Sequence, residues 1–221
     1  MFSNATAAAP LDASCPTEAK LALLWSLFGA RSDVFAVRWE NQSTGKSGWS
    51  PAVAGGWSKR RTNRDYLPLT DDVLARHLRG EATIGICPLL PGNLCTLLVC
   101  DFDAGSWALD ALAYLDACRT HGVPAALERS RSGNGAHVWI FLDGALPAAT
   151  ARSLGTSLLR EAMTTRAELD LASYDRFFPS QDFMPRPVRG DEDLATHVAR
   201  GSEAAGEVLL AQPSRSCGVR P

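Results

Sequence analysis

Residues 97–103 read Leu97-Leu98-Val99-Cys100-Asp101-Phe102-Asp103, an apolar run that ends in two carboxylates two positions apart. Side chains along a strand alternate faces, so Asp101 and Asp103 point the same way at the end of a strand predicted over 95–101. Two carboxylates on one face repel each other, and neither gains from burial. A divalent cation relieves both problems. Mg²⁺ and Mn²⁺ prefer carboxylate oxygen and are commonly shared with substrate phosphates. The pair therefore points to metal-dependent phosphate chemistry. The plainer alternative is that Asp103 opens a turn and Asp101 is a solvated strand end.

A second segment bears on that choice. It runs Glu128-Arg129-Ser130-Arg131-Ser132-Gly133-Asn134-Gly135-Ala136-His137-Val138-Trp139-Ile140-Phe141, after a strand predicted over 124–127 and into another over 137–142. Gly133 and Gly135 permit positive φ and close backbone approach. Consecutive amides in such a turn, here Ser132-Gly133-Asn134-Gly135, form an anion-binding nest. Ser132 adds a hydroxyl, Arg129 and Arg131 add charge, and His137 can donate to a phosphate oxygen. Ser-Gly-Asn-Gly is also ordinary hairpin chemistry, but a plain hairpin does not need these neighbours.

The rest of the chain frames these segments. Its 221 residues suffice for one large domain or a compact two-lobed one, and the net charge of −2 gives no global basic field. Any nucleic-acid contact must then be local. Lys59, Arg60, Arg61 and Arg64 form the densest basic run, and Arg38 and Lys46 complete the candidate set for template backbone phosphates; a solvated loop is the alternative. The six cysteines show neither a zinc spacing nor a disulfide framework. No apolar stretch is long enough for a membrane span, and the expected location is cytoplasmic. Helices are predicted over 17–28, 70–78, 107–121 (long and amphipathic) and 148–168, and strands over 34–40, 83–87, 95–101, 124–127 and 137–142. This order predicts an α/β (α+β) sandwich with the site on an open sheet face. Residues 1–16 read as an irregular tail, 17–182 as the catalytic domain, and 183–221 as an irregular, mobile tail.

Together the two segments resemble the archaeo-eukaryotic primase superfamily. Asp101-Phe102-Asp103 resembles its first motif, and Ser132-Gly133-Asn134-Gly135-Ala136-His137 its serine–glycine–histidine nucleotide-binding motif. Residues 33–40, 44–48, 67–71 and 173–182 bring the chain closest to the primase domain of the TOTE conflict systems, a resemblance that runs from about Leu21 to Asp182. It implies a primase-polymerase core, an RRM-like sheet with flanking helices, preceded by a smaller α/β unit. It also implies template-dependent nucleotidyl transfer with Mg²⁺ or Mn²⁺, acting on nucleoside triphosphates and a DNA (or RNA) template-primer. A helicase or nuclease is the expected companion in a mobile-element or anti-phage setting. Asp101 and Asp103 would bind the ions and His137 the triphosphate, with general acid catalysis a second role for His137. The third metal carboxylate falls in the region of the third motif: Asp175 is the first choice, Asp182 the second, and Asp170 reads as solvated.

Two departures stand out. Related sequences often carry a cysteine cluster before Leu67-Pro68-Leu69-Thr70; here residues 54–64 contain none, so no zinc is expected. After Asp182 the family's glycine-rich turn and apolar strand are replaced by a Gly/Ala/Arg/Ser-rich tail. Its one weakly helical stretch lies near 203–211, and no strand is predicted. A diverged, truncated or frame-shifted terminus has this appearance. A metal-dependent nuclease or other phosphotransferase, and an inactive nucleic-acid-binding remnant, are the alternative functions.

Overall fold

Two antiparallel four-stranded sheets organise the chain. The computed structural model describes residues 11–12, 14–58, 64–103, 105–130, 133–167, 169, 174–184 and 208–209. The first unit holds α1 (Thr17–Leu27), β1 (Ala36–Glu40), β2 (Ser47–Pro51), α2 (Asp71–Leu78) and β3 (Ile84–Ile86). The second holds β4 (Leu94–Asp103), α3 (Trp107–Thr120), β5 (Ala126–Arg129), β6 (Gly135–Pro147), α4 (Ala148–Thr165) and β7 (Tyr174–Phe178). A two-residue strand, β8 (Val208–Leu209), returns to the first sheet. Strand orders are β2-β1-β3-β8 and β5-β6-β4-β7. No helix among the described residues is long and apolar enough to cross a membrane.

Local chemistry sets several boundaries. The Thr70 hydroxyl accepts from the Val73 N–H at 3.4 Å and so caps α2, whose first turn carries Asp71 and Asp72 against the positive helix end. Trp25 of α1 donates its indole N–H to Asp71 at 2.7 Å and joins the two helices. No residue of α1 is fully buried; Leu21, Leu24 and Trp25 lie half-buried against the core, so its apolar face is a cover and not a core element. Of the segment expected to be irregular before Thr17, Asp12 accepts from the Ser14 N–H at 2.8 Å in an Asx turn.

The central strand β4 separates two cores. Leu98, Cys100 and Phe102 face α3 and α4, together with Val138 and Ile140 of β6 and Phe177 of β7. Leu97 and Val99 face the other way, with Trp139 and Phe178, and meet Phe35, Leu74, Ile84 and Ile86 of the first unit. Each such side chain stabilises the fold by about 1.5–3 kcal/mol when fully buried. The first unit is thereby packed onto half of one face of the second sheet.

Three expectations are corrected. The strand bearing the carboxylates does not stop at Asp101 but runs to Asp103, because Phe102 and Asp103 pair with Ala136 and Gly135. Helix α3 is not cleanly amphipathic: Leu109 and Leu112 are exposed, whereas Asp110 is fully buried. Its charge is met by Arg166 Nε at 2.5 Å and the Ser106 hydroxyl at 2.7 Å. The tail, read as lacking a strand, places Val208 and Leu209 in antiparallel register with Ile86 and Gly85. Backbone pairing along the open β3 edge is what this short apolar step can satisfy. The rest of the tail lies outside the described residues.

Candidate active site

One face of the second sheet changes character along its length. The cross-strand pairs between β4 and β6 run Leu97–Phe141, Val99–Trp139, Asp101–His137 and Asp103–Gly135. The first two pairs lie on the side covered by the first unit, and the last two carry the polar groups. Alternation in the strand therefore delivers both carboxylates and the histidine to the same face. Asp101 is 8 % exposed and His137 6 %, whereas Asp103 is open to solvent.

The imidazole sits between two carboxylates. His137 Nε2 lies 3.5 Å from Asp101 Oδ1, and Nδ1 lies 3.6 Å from Glu128 Oε2. Glu128 faces His137 because β5 pairs Glu128 with it directly. Burial pulls the His137 pKa down, but Glu128, Asp101 and Asp103 together outweigh it and raise the net value above the usual 6.5. Protonated, the ring donates from both nitrogens.

Gly135 makes room for Asp103. A Cβ built at Gly135 would collide with Asp103 Oδ1 and lie 2.8 Å from the Phe102 carbonyl oxygen and 3.1 Å from the Ser130 hydroxyl. The hairpin turn is closed by the Ser130 N–H donating to Gly135 at 2.9 Å, with Gly133 at φ 78°. Arg129 reaches back over this turn. Its Nε and Nη2 donate to the Gly133 carbonyl at 3.0 and 2.8 Å, and its guanidinium lies 5.9 Å from the Trp107 ring centre. Arg129, expected at the nucleotide, thus also ties its own loop together. Asn134 is exposed at the tip. Arg131 and Ser132 lie outside the described residues.

The third-carboxylate candidates separate clearly. Strand β7 pairs Arg176 with Asp101 and Tyr174 with Phe102, and the bulge between these pairs places the Asp175 backbone beside the carboxylate pair. The Asp175 side chain, and Asp170 altogether, are outside the described residues. Asp182 is not at the site. Arg152 Nε holds it at 2.7 Å, and Met184 of the same segment donates to Asn93, the residue before β4. From there to Asp101 is roughly 25 Å of strand. The chain leaves β7 running away from the carboxylates, and that direction removes Asp182. Among the described residues no group of three or more His, Cys, Asp or Glu is assembled for a metal ion.

The proposed nucleic-acid residues divide similarly. Arg38 spans its hairpin to Glu40 at 3.1 Å and to the Ser47 hydroxyl at 2.9 Å. Lys46 is exposed in the turn of that hairpin, and Arg64 stacks on Trp57 at 4.4 Å. Lys59, Arg60 and Arg61 are outside the described residues. Sequence reasoning missed Glu128. The signal was available: a hairpin closed at Ser130 and Gly135 sets 128 opposite 137.

A family profile described as the Archaeo-Eukaryotic Primase domain of the TOTE conflict system matches residues 19–191. Among solved structures, the polymerase domain from Mycobacterium tuberculosis Ligase D in complex with DNA aligns with a TM-score of 0.46 and 16% identity. The alignment covers 69% of this chain and 63% of that one, so this chain spans less than two thirds of it. No curated protein matches the chain.

Proposed function

Because the chain belongs to the archaeo-eukaryotic primase domain family of TOTE conflict systems, we propose that it is a primase-polymerase that joins nucleotides on a template. The observation that carries this reading is the placing of Asp101, Asp103 and His137 on one sheet face, with Gly135 leaving space for the Asp103 carboxylate. That space and the paired oxygens fit a hard divalent cation. Asp101 and Asp103 would hold Mg²⁺ or Mn²⁺, with Asp175 the proposed third ligand. The bound ion supplies Lewis acidity toward the primer 3′-hydroxyl and the leaving pyrophosphate.

The protein's own groups do the rest. His137 donates an N–H to an oxygen of the incoming triphosphate, a charge-assisted bond. The turn of Gly133, Asn134 and Gly135, with Ser132 and Arg131, is the proposed phosphate cradle, its shape held by the Gly133 N–H donating to the Ser130 carbonyl at 2.9 Å. The first unit closes the apolar end of the face and keeps bulk water from that side. Arg38, Lys46, Lys59, Arg60, Arg61 and Arg64 are the proposed contacts to the DNA or RNA backbone. A helicase or nuclease companion, and action in the cytoplasm, belong to the same reading.

Primer extension on a DNA template with Mg²⁺ or Mn²⁺, and with ribo- or deoxyribonucleotides in turn, tests it. Extension that disappears in Asp101→Asn/Asp103→Asn supports the assignment. Template degradation in place of extension would make the protein a nuclease. Triphosphate binding with no turnover by the wild type would make it an inactive remnant.

A further inference from the structure

Glu128 has no part in the roles assigned above, yet it touches the residue on which triphosphate binding depends. Its carboxylate is fixed from behind: the Trp139 indole N–H donates to Oε2 at 2.7 Å. Trp139 itself is 3 % exposed and has little freedom. Phe28 of the first unit meets its ring edge-on at 5.1 Å, and Phe141 stacks parallel to it at 6.1 Å. The same Oε2 faces His137 Nδ1 at 3.6 Å. Glu128 Oε1 is buried and has no hydrogen-bond partner among the described residues. A glutamine would satisfy the indole equally well, so Trp139 alone does not account for a charged group here.

The distances on the two sides of the imidazole carry the argument. Both contacts, 3.5 Å to Asp101 and 3.6 Å to Glu128, lie beyond ordinary hydrogen-bond length. The ring is held between charges without being locked to either. Contacts of this kind lengthen in the free protein and tighten when the ligand arrives. For Nε2 to serve a phosphate oxygen, it must turn from Asp101. Among the described residues, the Nδ1 side then keeps its carboxylate neighbour, Glu128.

We infer that Glu128 is a positioning residue for His137, its carboxylate holding Nδ1 as a donor so that Nε2 is presented to the triphosphate. This rests on the reading of His137 as a triphosphate donor. Through Phe28 and Trp139, the first unit then reaches the nucleotide through four side chains in series: Phe28, Trp139, Glu128 and His137.

Glu128→Gln keeps the acceptor for Trp139 and removes the charge. Titration with dGTP and separately GTP, each with Mn²⁺, should show about tenfold weaker binding, the low end for loss of a group that orients a ligand-binding histidine. In a His137→Ala background the same substitution should add less than twofold, since the two residues act as a unit. Wild-type binding by Glu128→Gln, or an undiminished loss in the His137→Ala background, overturns the inference. The ¹⁵N and ¹H signals of the His137 ring supply a readout independent of nucleotide. The metal-free wild type should carry a proton on Nδ1, whichever charge state the ring holds, and Glu128→Gln should shift that signal. An Nδ1 without a proton in the wild type also overturns the inference. If Glu128→Gln does not fold, Trp139→Phe releases the carboxylate instead and should weaken triphosphate binding in the same direction; unchanged binding there counts against Glu128. Failure of the wild type to bind either triphosphate, with the ring signals as described, overturns the nucleotidyl-transfer reading and leaves the hold of Glu128 on His137 standing.

Discussion

Gly135→Ala should separate the site from the fold. The added methyl would collide with Asp103 Oδ1 and approach the Phe102 carbonyl oxygen to 2.8 Å, well inside the 3.4 Å at which ordinary contact begins. The carboxylate can swing away, but the carbonyl belongs to the β4–β6 ladder and can move only with the strand. Overpacking of this size costs about 1–3 kcal/mol, against a typical domain stability of about 5–15 kcal/mol. The variant therefore folds. Activity is more sensitive: a displacement of about 1 Å at a reacting group lowers rates about 100-fold, which is about 2.7 kcal/mol of barrier. Gly144→Ala is the control, on the same strand, with nothing within 4 Å of its added methyl. Thermal unfolding and primer extension on both variants decide the matter. The expected result is a modest loss of melting temperature and a loss of extension near 100-fold in Gly135→Ala alone. Full extension with an unchanged melting temperature would refute the packing of Asp103 over Gly135. Loss of activity only because the variant is unfolded at the assay temperature would refute its local character.

Three further outcomes are expected. Arg166→Ala should destabilise the protein by about 3–5 kcal/mol in urea unfolding, because it strands the fully buried Asp110 carboxylate; a cost under about 1 kcal/mol would show that the pair is dispensable. Adding Mn²⁺ should raise the melting temperature of the wild type and not that of Asp101→Asn/Asp103→Asn, with about 2.7 kcal/mol gained at 100 times Kd; an equal rise in both would place the metal elsewhere. The hydrogen bond from Arg31 depresses the Asp33 pKa below its usual 3.8. Its stabilisation is therefore present above that value and lost as pH falls through the folded-state value. The melting-temperature gap between wild type and Asp33→Asn should be open at pH 6 and narrow as the pH falls below 3.8; a gap that does not change with pH would exclude this cause.

What could be read ahead of the structure was the local part. Period-two alternation put Asp101 and Asp103 on one face, and the Ser-Gly-Asn-Gly turn announced a hairpin ending at His137. Register and chain direction were harder. Glu128 enters the site only because the hairpin closes at Ser130 and Gly135, and a closure one residue away would have turned it to the opposite face. Arg129 and Arg131 are equivalent in sequence, and only the path of the turn shows that Arg129 bends back to Gly133. Asp182 sits beside aromatic residues like a motif aspartate, but β7 runs antiparallel to β4 and carries it to Arg152. The burial of Asp110 has no local sign in the sequence, because its partner Arg166 lies 56 positions away. Each miss is a long-range pairing that no local pattern encodes.

The shift from apolar to polar along the shared face of β4 and β6 also bears on how small this protein can be made. Leu97, Val99, Trp139 and Phe178 pack against Phe35, Leu74, Ile84 and Ile86 of the first unit. A fragment holding only the four-stranded sheet with α3 and α4 would retain Asp101, Asp103, Glu128 and Asp175. It would also bare a greasy stripe directly beside them, the kind of surface that drives self-association. Minimisation by truncation should therefore stop short of removing α1 through β3. A shorter variant would need its stripe redesigned with polar residues, and Trp139 could not be among those changed without disturbing Glu128.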